Sequence, residues 1–178
     1  ECMKTVLALD PGNLEALSHL SFEKRHLCDW SGLQDDLQAI TAGGGTPGAQ
    51  LYRFVRADAA ALCCVAFDIN DIHRIAMRDP VEFASYWKER ATLERQLARI
   101  IRRGIAEGTF RSVDPKLTAL TVLANDEGAQ NWYRVGSKWS PAAIGTHQAQ
   151  LVVRGLLVDL DRLAAIEAEA DALEAQGA

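Results

Sequence analysis

Apolar side chains recur every three or four residues along most of this chain, and turn residues cut the pattern into separate helices. Leu51, Phe54, Val55, Leu62, Val65, Ala66 and Ile69 predict a helical stretch over 51–77. Asn70-Asp71 is placed to break that stretch and to cap its continuation through Ile72, Ile75 and Ala76. Asp79-Pro80 marks a stop and a restart. Phe83, Tyr86, Trp87, Leu93, Leu97, Ile100 and Ile101 then predict a helix over 81–107, its outer face laced with mixed charge. Gly108 stands where a helix C-terminus takes a residue of positive φ, and Asp114-Pro115 supplies an N-cap and a first-turn proline. Leu117, Leu120, Val122, Leu123, Trp132 and Tyr133 predict the following helix over 115–135. Ser140-Pro141 opens the last one, over 141–163, with Ile144, Leu151, Val152, Leu157 and Leu160 apolar. The Ala- and Glu-rich stretch 164–178 reads as a fraying extension of that helix. The pattern is that of an all-α chain.

The pattern is different before residue 51. Thr41-Ala-Gly-Gly-Gly-Thr-Pro-Gly48 holds too many glycines for an element interior, so 43–50 reads as a linker between a helical segment at 1–42 and a domain at 51–178. Within 1–42, Asp10-Pro11-Gly12-Asn13 makes a turn. Leu14, Leu17 and Leu20 give the next helix an apolar face, and Leu33, Leu37 and Ile40 give a face to a third, capped by Ser31.

Composition narrows the function classes. A hydrophobic share of 48% in 178 residues suffices for an ordinary core. A net charge of −5 suits gripping nucleic-acid phosphates poorly. The chain has no apolar run long enough for a bilayer and no basic-then-apolar leader pattern, so a cytoplasmic protein is expected. Cys2, Cys28, Cys63 and Cys64 lack the Cys-x-x-Cys spacing of zinc sites and read as reduced thiols. There is no nucleophile elbow, phosphate-binding loop, dinucleotide fingerprint or His-Glu-x-x-His. Neither catalysis nor a cofactor is expected.

Four pieces, in order, carry a family resemblance: Asp79-Pro80…Phe83…Tyr86; Gly104…Gly108-Thr109-Phe110-Arg111…Val113-Asp114-Pro115; Leu117-Thr118-Ala119-Leu120…Asn131-Trp132-Tyr133; and Ser140-Pro141…Ile144…Val152…Gly155-Leu156. Over about 51–163 the chain resembles the C-terminal effector-binding and dimerisation half of TetR-family transcriptional regulators. The resemblance implies a ligand-sensing domain of a repressor, with a small apolar or aromatic effector held between the helices at 51–79, 81–107 and 115–135. It also implies a homodimer formed through the helices at 115–135 and 141–163. DNA would be reached only through a helix-turn-helix not seen here, since Leu14 to Leu20 offers no Arg or Lys for a groove. Leu9-Asp10-Pro11-Gly12-Asn13 followed by Glu15-Ala16-Leu17 is similar instead to a junction between tetratricopeptide repeats, from which Ser21 and Lys24 depart. Leu27-Cys28-Asp29-Trp30 is similar to segments of repeat-containing glycosyltransferases. A helical interaction module and a fragment of such a transferase are the alternative readings.

Helix membership nominates Phe54, Asp58, Cys63, Phe67, His73, Trp87, Asn125, Gln130 and Trp132 as pocket-lining residues. For Phe54, Phe67 and Trp87, plain core packing competes with ligand contact. Asn125-Asp126-Glu127 interrupts the apolar run of its helix, either as pocket polarity or as a solvated face. Asp68, Asp71 and His73 are of metal-ligand type, but a helix cap accounts for Asp71 more simply, and no metal is expected. Leu151, Leu157 and Trp132 are the expected dimer contacts, with His147 at the surface or interface.

Overall fold

The computed structural model describes residues 37, 39–40, 43–65 and 67–177, and among these no strand occurs. The repeat-like turn at 10–13 and the helices expected before residue 37 lie outside the described residues, as do Cys2, Cys28 and Ala66. Six helices follow in order: α1 (Pro47–Leu62), α2 (Ile69–Arg78), α3 (Ala84–Ala106), α4 (Pro115–Trp132), α5 (Pro141–Leu156) and α6 (Leu163–Gly177), the last preceded by a 3-10 turn, Leu160–Arg162.

α1 begins inside the stretch that reads as a linker. The Thr46 hydroxyl accepts from the Ala49 N–H at 3.3 Å, and Pro47 occupies the first turn. Gly48, Ala49 and Gln50 are buried rather than loose. Gly48 is glycine for a packing reason: a Cβ there would lie 2.6 Å from Cδ1 of Ile166 on α6. α1 is the central helix, packed against α3, α4, α5 and α6. Leu51, Tyr52, Phe54 and Val55 fill the main core with Leu97, Ile101, Phe110, Leu123 and Val153. Burial on several faces explains why its apolar positions exceed a single stripe.

α1 stops at Leu62, earlier than the apolar period suggests. Its end and the start of α2 are held by one side chain of α4. Gln130 Nε2 donates to the carbonyls of Leu62 (2.8 Å) and Phe67 (2.9 Å), and its Oε1 accepts from the Ile69 N–H (2.8 Å). Three backbone groups orphaned by the helix break are thereby satisfied. Asp68, not Asn70-Asp71, caps α2, accepting from the Asn70 N–H at 2.9 Å.

The turn between α3 and α4 follows the sequence expectation. Gly108 has φ +70°, and the Thr109 and Phe110 N–H groups both donate to the Gly104 carbonyl, at 2.9 and 3.0 Å. Phe110 lies flat against Gly104, where a Cβ would approach Cδ2 of the ring to 2.1 Å. Asp114 caps α4, and Ser140 caps α5.

α5 ends at Leu156 rather than continuing to 163. Leu157 is extended and pairs with Phe110: the Arg111 N–H donates to Leu156 O at 2.8 Å, and the Val158 N–H donates to Thr109 O at 3.1 Å. The chain then turns, and α6 packs back along α1 instead of fraying. Arg56 bonds Asp171 and Glu174, each at 2.7 Å. The Thr46 N–H and hydroxyl both donate to the Glu169 carboxylate at 2.7 Å, placing an anion at the positive end of α1.

The tightest helix contact joins α1 to α5. A Cβ on Gly145 would lie 2.3 Å from the Arg56 carbonyl oxygen, which is backbone and cannot swing away. Gly145→Ala is therefore expected to lower stability by about 1–3 kcal/mol, the usual cost of overpacking. Thermal unfolding checks this, and an unchanged midpoint would mean that the two helices separate freely.

Candidate functional site

The helical periods of α1 to α4 bring a polar cluster into the interior. Asp58 lies on α1 one turn before its end, His73 on α2, Tyr86, Trp87 and Arg90 on α3, and Asp126 and Glu127 on α4. Asp58, Asp126 and Glu127 are all buried, and Asp126 has no exposed surface. Beside them is an apolar cluster separate from the main core: Leu62, Ile69, Ile72, Ala76 and Phe83, with Phe67, Ile75, Tyr86 and Trp87 packed against it. The His73, Tyr86 and Trp87 rings contact one another, with centroids 5.2–5.5 Å apart. Trp87 is fixed by its indole N–H, which donates to the Ala76 carbonyl at 3.2 Å.

The charges are unevenly matched. Arg90 is committed to Glu127: Nη1 bonds Oε1, and Nη2 bonds Oε2 at 3.2 Å. His73 Nδ1 is 3.9 Å from Glu127 Oε2. The Asn70 carboxamide donates to the Glu127 carbonyl at 3.4 Å. Asp126 Oδ1 accepts from Asn125 Nδ2 at 3.3 Å, but its Oδ2 has no partner among the described residues. Burial, reinforced by the negative charge of Glu127 and partly offset by Arg90, pushes the Asp58 carboxyl up to about 7. Burial and the facing charge of Asp58 raise Asp126 well above the carboxylate range, against the pull of the Asn125 hydrogen bond. Burial and Arg90 lower His73, against Glu127. Polar groups in such a place cost stability unless something pairs with them.

Of the residues nominated from sequence, the fold brings Asp58, His73 and Trp87 together. Phe54 is buried in the main core, and Phe67 packs into the smaller apolar cluster. Asn125 is exposed and reaches the site through Asp126. Gln130 staples the loop between α1 and α2, while Cys63 packs with Ala129 and Ile144. Trp132 is half exposed at the end of α4, edge-to-face with Trp139 at 6.4 Å. Leu151 is exposed on α5. Leu157 is a correction: it points into the chain's own core against Phe110 and is unavailable to a second copy. Asp68 and Asp71 are used as a cap and in an ion pair with Arg74, and among the described residues no group of His, Cys, Asp or Glu is placed to hold a metal. Among the same residues no helix is long and apolar enough to cross a membrane.

The sequence nominates neither Tyr86 nor Arg90 as a site residue and leaves Asp126 and Glu127 open between pocket polarity and a solvated face. The signal was present: Arg90 follows Tyr86 by four and Trp87 by three, so it interrupts the apolar stripe of α3. Asp126 follows Leu123 by three and interrupts that of α4 in the same way. A charge on a buried stripe needs a partner from another helix.

A strand-free bundle around one central helix, with a polar cluster set among aromatic rings, is the architecture of a helical ligand-sensing domain. The chain belongs to the family described as "Tetracyclin repressor-like, C-terminal domain", which it matches over residues 44–156. It is the ligand-binding and dimerisation region of a TetR-type transcriptional regulator. The 3-10 turn and α6 lie beyond the matched region. Two of the solved structures that share the fold are regulators. One is a TetR/AcrR-family transcriptional regulator from Thermobifida fusca YX-ER1, with 17% identity, a TM-score of 0.54, and 70% of this chain and 69% of that chain covered. The other is the ketosteroid transcriptional regulator KstR2 of Mycobacterium tuberculosis, with 20% identity, a TM-score of 0.58, and 72% of this chain and 69% of that chain covered. No curated protein matches the chain.

Proposed function

We propose that the effector of this regulator is a small compound with an apolar or aromatic body, bound between α1, α2, α3 and α4 against His73, Tyr86 and Trp87. The observation that carries this reading is the buried Asp58–Asp126–Glu127 group with an unpartnered carboxylate oxygen, since a core built for packing alone would not hold it. Phe54 and Phe67 back the site through the two apolar clusters, and Asn125 orients Asp126. An effector acts by binding one arrangement of these helices better than another, so its contacts must differ between them. The Gln130 staple ties the α1–α2 loop to α4 and would carry a shift of one to the other.

In the same reading two copies pair through the outer faces of α4 and α5 to make a four-helix bundle across a two-fold axis. Exposed Leu117, Leu120, Trp132 and Leu151 support it. DNA contact belongs to a helix-turn-helix not seen in this sequence. The domain itself is non-enzymatic and works without a cofactor in the cytoplasm.

A screen of small aromatic and acyl compounds by thermal shift and tryptophan fluorescence tests the site. A binder is expected to raise the unfolding midpoint and to change the emission of Trp87. Trp87→Phe should remove that change, and Trp132→Phe should keep it. Binders that report only through Trp132 or Trp139 would place the site elsewhere.

A further inference from the structure

We infer that the effector carries a cationic nitrogen, an ammonium or amidinium, and that it sits between Asp58 and Asp126 with its apolar part on the Tyr86 and Trp87 rings. The inference rests on the proposed site and adds the charge of its occupant. Three carboxylates and one guanidinium converge there, and the guanidinium is held by both of its terminal nitrogens on Glu127. Arg90 makes no hydrogen bond to either aspartate among the described residues. His73 is a poor substitute, because burial and the neighbouring Arg90 disfavour its charged form, and its Nδ1 lies toward Glu127 at 3.9 Å. Asp126 feels the charge of Asp58, and the one cation acting on Asp58 is the Arg90 guanidinium that Glu127 already holds. Asp126 has no exposed surface, yet its Oδ2 lacks a hydrogen-bond partner among the described residues.

A purely apolar ligand would seal these oxygens from water without pairing them, which is the costly arrangement. An anionic ligand would add a further like charge. A cationic nitrogen supplies both the missing donors and the missing charge. The electron-rich faces of Tyr86 and Trp87 also favour a cation. Neutral compounds that merely donate a hydrogen bond satisfy Oδ2 but leave the charge uncompensated, so they should bind more weakly.

The test is a matched panel on three apolar bodies (indole, naphthalene and a linear octyl chain), each bearing a primary amine, an alcohol or a carboxylate on the same short linker. Affinities are measured by calorimetry at pH 7.5 on the intact chain, on Asp126→Asn and on Asp58→Asn. At least one body is expected to bind as the amine ten-fold or more tightly than as the alcohol, with the carboxylate weakest. Each variant should reduce the amine preference to within three-fold while still binding the alcohol, which also shows that the site is folded. Equal binding of amine and alcohol, or tighter binding of the carboxylate, would overturn the charge assignment and leave the site standing. A panel in which no member binds would overturn the site itself. An amine preference that survives both substitutions would place the cation on other groups and overturn the inference.

Discussion

Asp126→Asn is expected to make the ligand-free protein more stable, raising its unfolding midpoint at pH 8 by about 4–8 °C for a gain of about 2 kcal/mol. Most substitutions of fully buried residues do the opposite. Here the wild-type side chain is a carboxylate with one oxygen unpartnered, facing Asp58 and Glu127 in an interior where the nearest guanidinium is already engaged. Asparagine keeps the shape and removes the charge. A lowered midpoint would show that the carboxylate is a structural group with a partner of its own, and would remove the main support for a ligand at this place.

The pH dependence sharpens the same expectation. Asp58 has its folded-state pKa raised from the ordinary 3.8 to about 7, and Asp126 is shifted in the same direction. Between those values the folded protein holds a proton that the unfolded chain releases. The Asp58 contribution is fully present below about pH 4 and is lost as pH rises through about 7, a change of up to about 4 kcal/mol, and that of Asp126 is lost in the same direction. His73 is shifted the other way, so its own contribution is lost as pH falls below the ordinary histidine range. The groups around the pair are Asp58 on α1, His73 on α2, Tyr86 and Arg90 on α3, and Asp126 and Glu127 on α4. The informative quantity is the difference between wild type and Asp126→Asn, in which the His73 contribution cancels. That difference should grow as pH rises above the ordinary carboxylate range. Free energy given up at a site in this way is recovered by mass action when a ligand that pairs the charge binds.

How much of this was legible in the sequence depends on whether the cause is local. Gly108, Asp114-Pro115 and Ser140-Pro141 act within one turn of themselves, so the α3–α4 hairpin and the start of α5 appear where the residues place them. The ends of α1 and α5 have remote causes. Val65 and Ile69 continue the apolar period past Leu62, and only Gln130, from another helix, reveals the break. Leu157 and Leu160 likewise continue the period of α5, and the pairing of Leu157 with Phe110 interrupts it. The Gly-rich start of α1 looked like a linker because the contact that requires Gly48 comes from Ile166, far along the chain. The site shows the same division. Asp58, His73 and Trp87 could be nominated because each sits on a recognisable helix. Their convergence with Arg90, Asp126 and Glu127 depends on how four helices pack, which no single period encodes.

Leu151→Asp and Leu157→Asp are expected to give opposite outcomes, although the sequence offers both leucines as dimer contacts on one predicted helix. Leu151 is 59% exposed on α5, so a carboxylate there stays in water in the isolated chain. The variant should keep its helical circular dichroism and its unfolding cooperativity. Light scattering should show half the wild-type mass, because the charge would be buried only between two copies. Leu157 is 6% exposed, within the main core and beside Phe110. A carboxylate there loses the leucine's packing and is cut off from water, a cost of at least about 4 kcal/mol, which is a large part of the stability of a domain this size. This variant should unfold, or melt at least about 8–16 °C early, at any oligomeric state. A Leu151→Asp protein that keeps the wild-type mass would remove the outer face of α5 from the interface. A Leu157→Asp protein that folds normally and becomes monomeric would show that α5 runs on past Leu156 and that Leu157 faces the partner. The pair separates a surface that two copies share from a core that each copy completes alone.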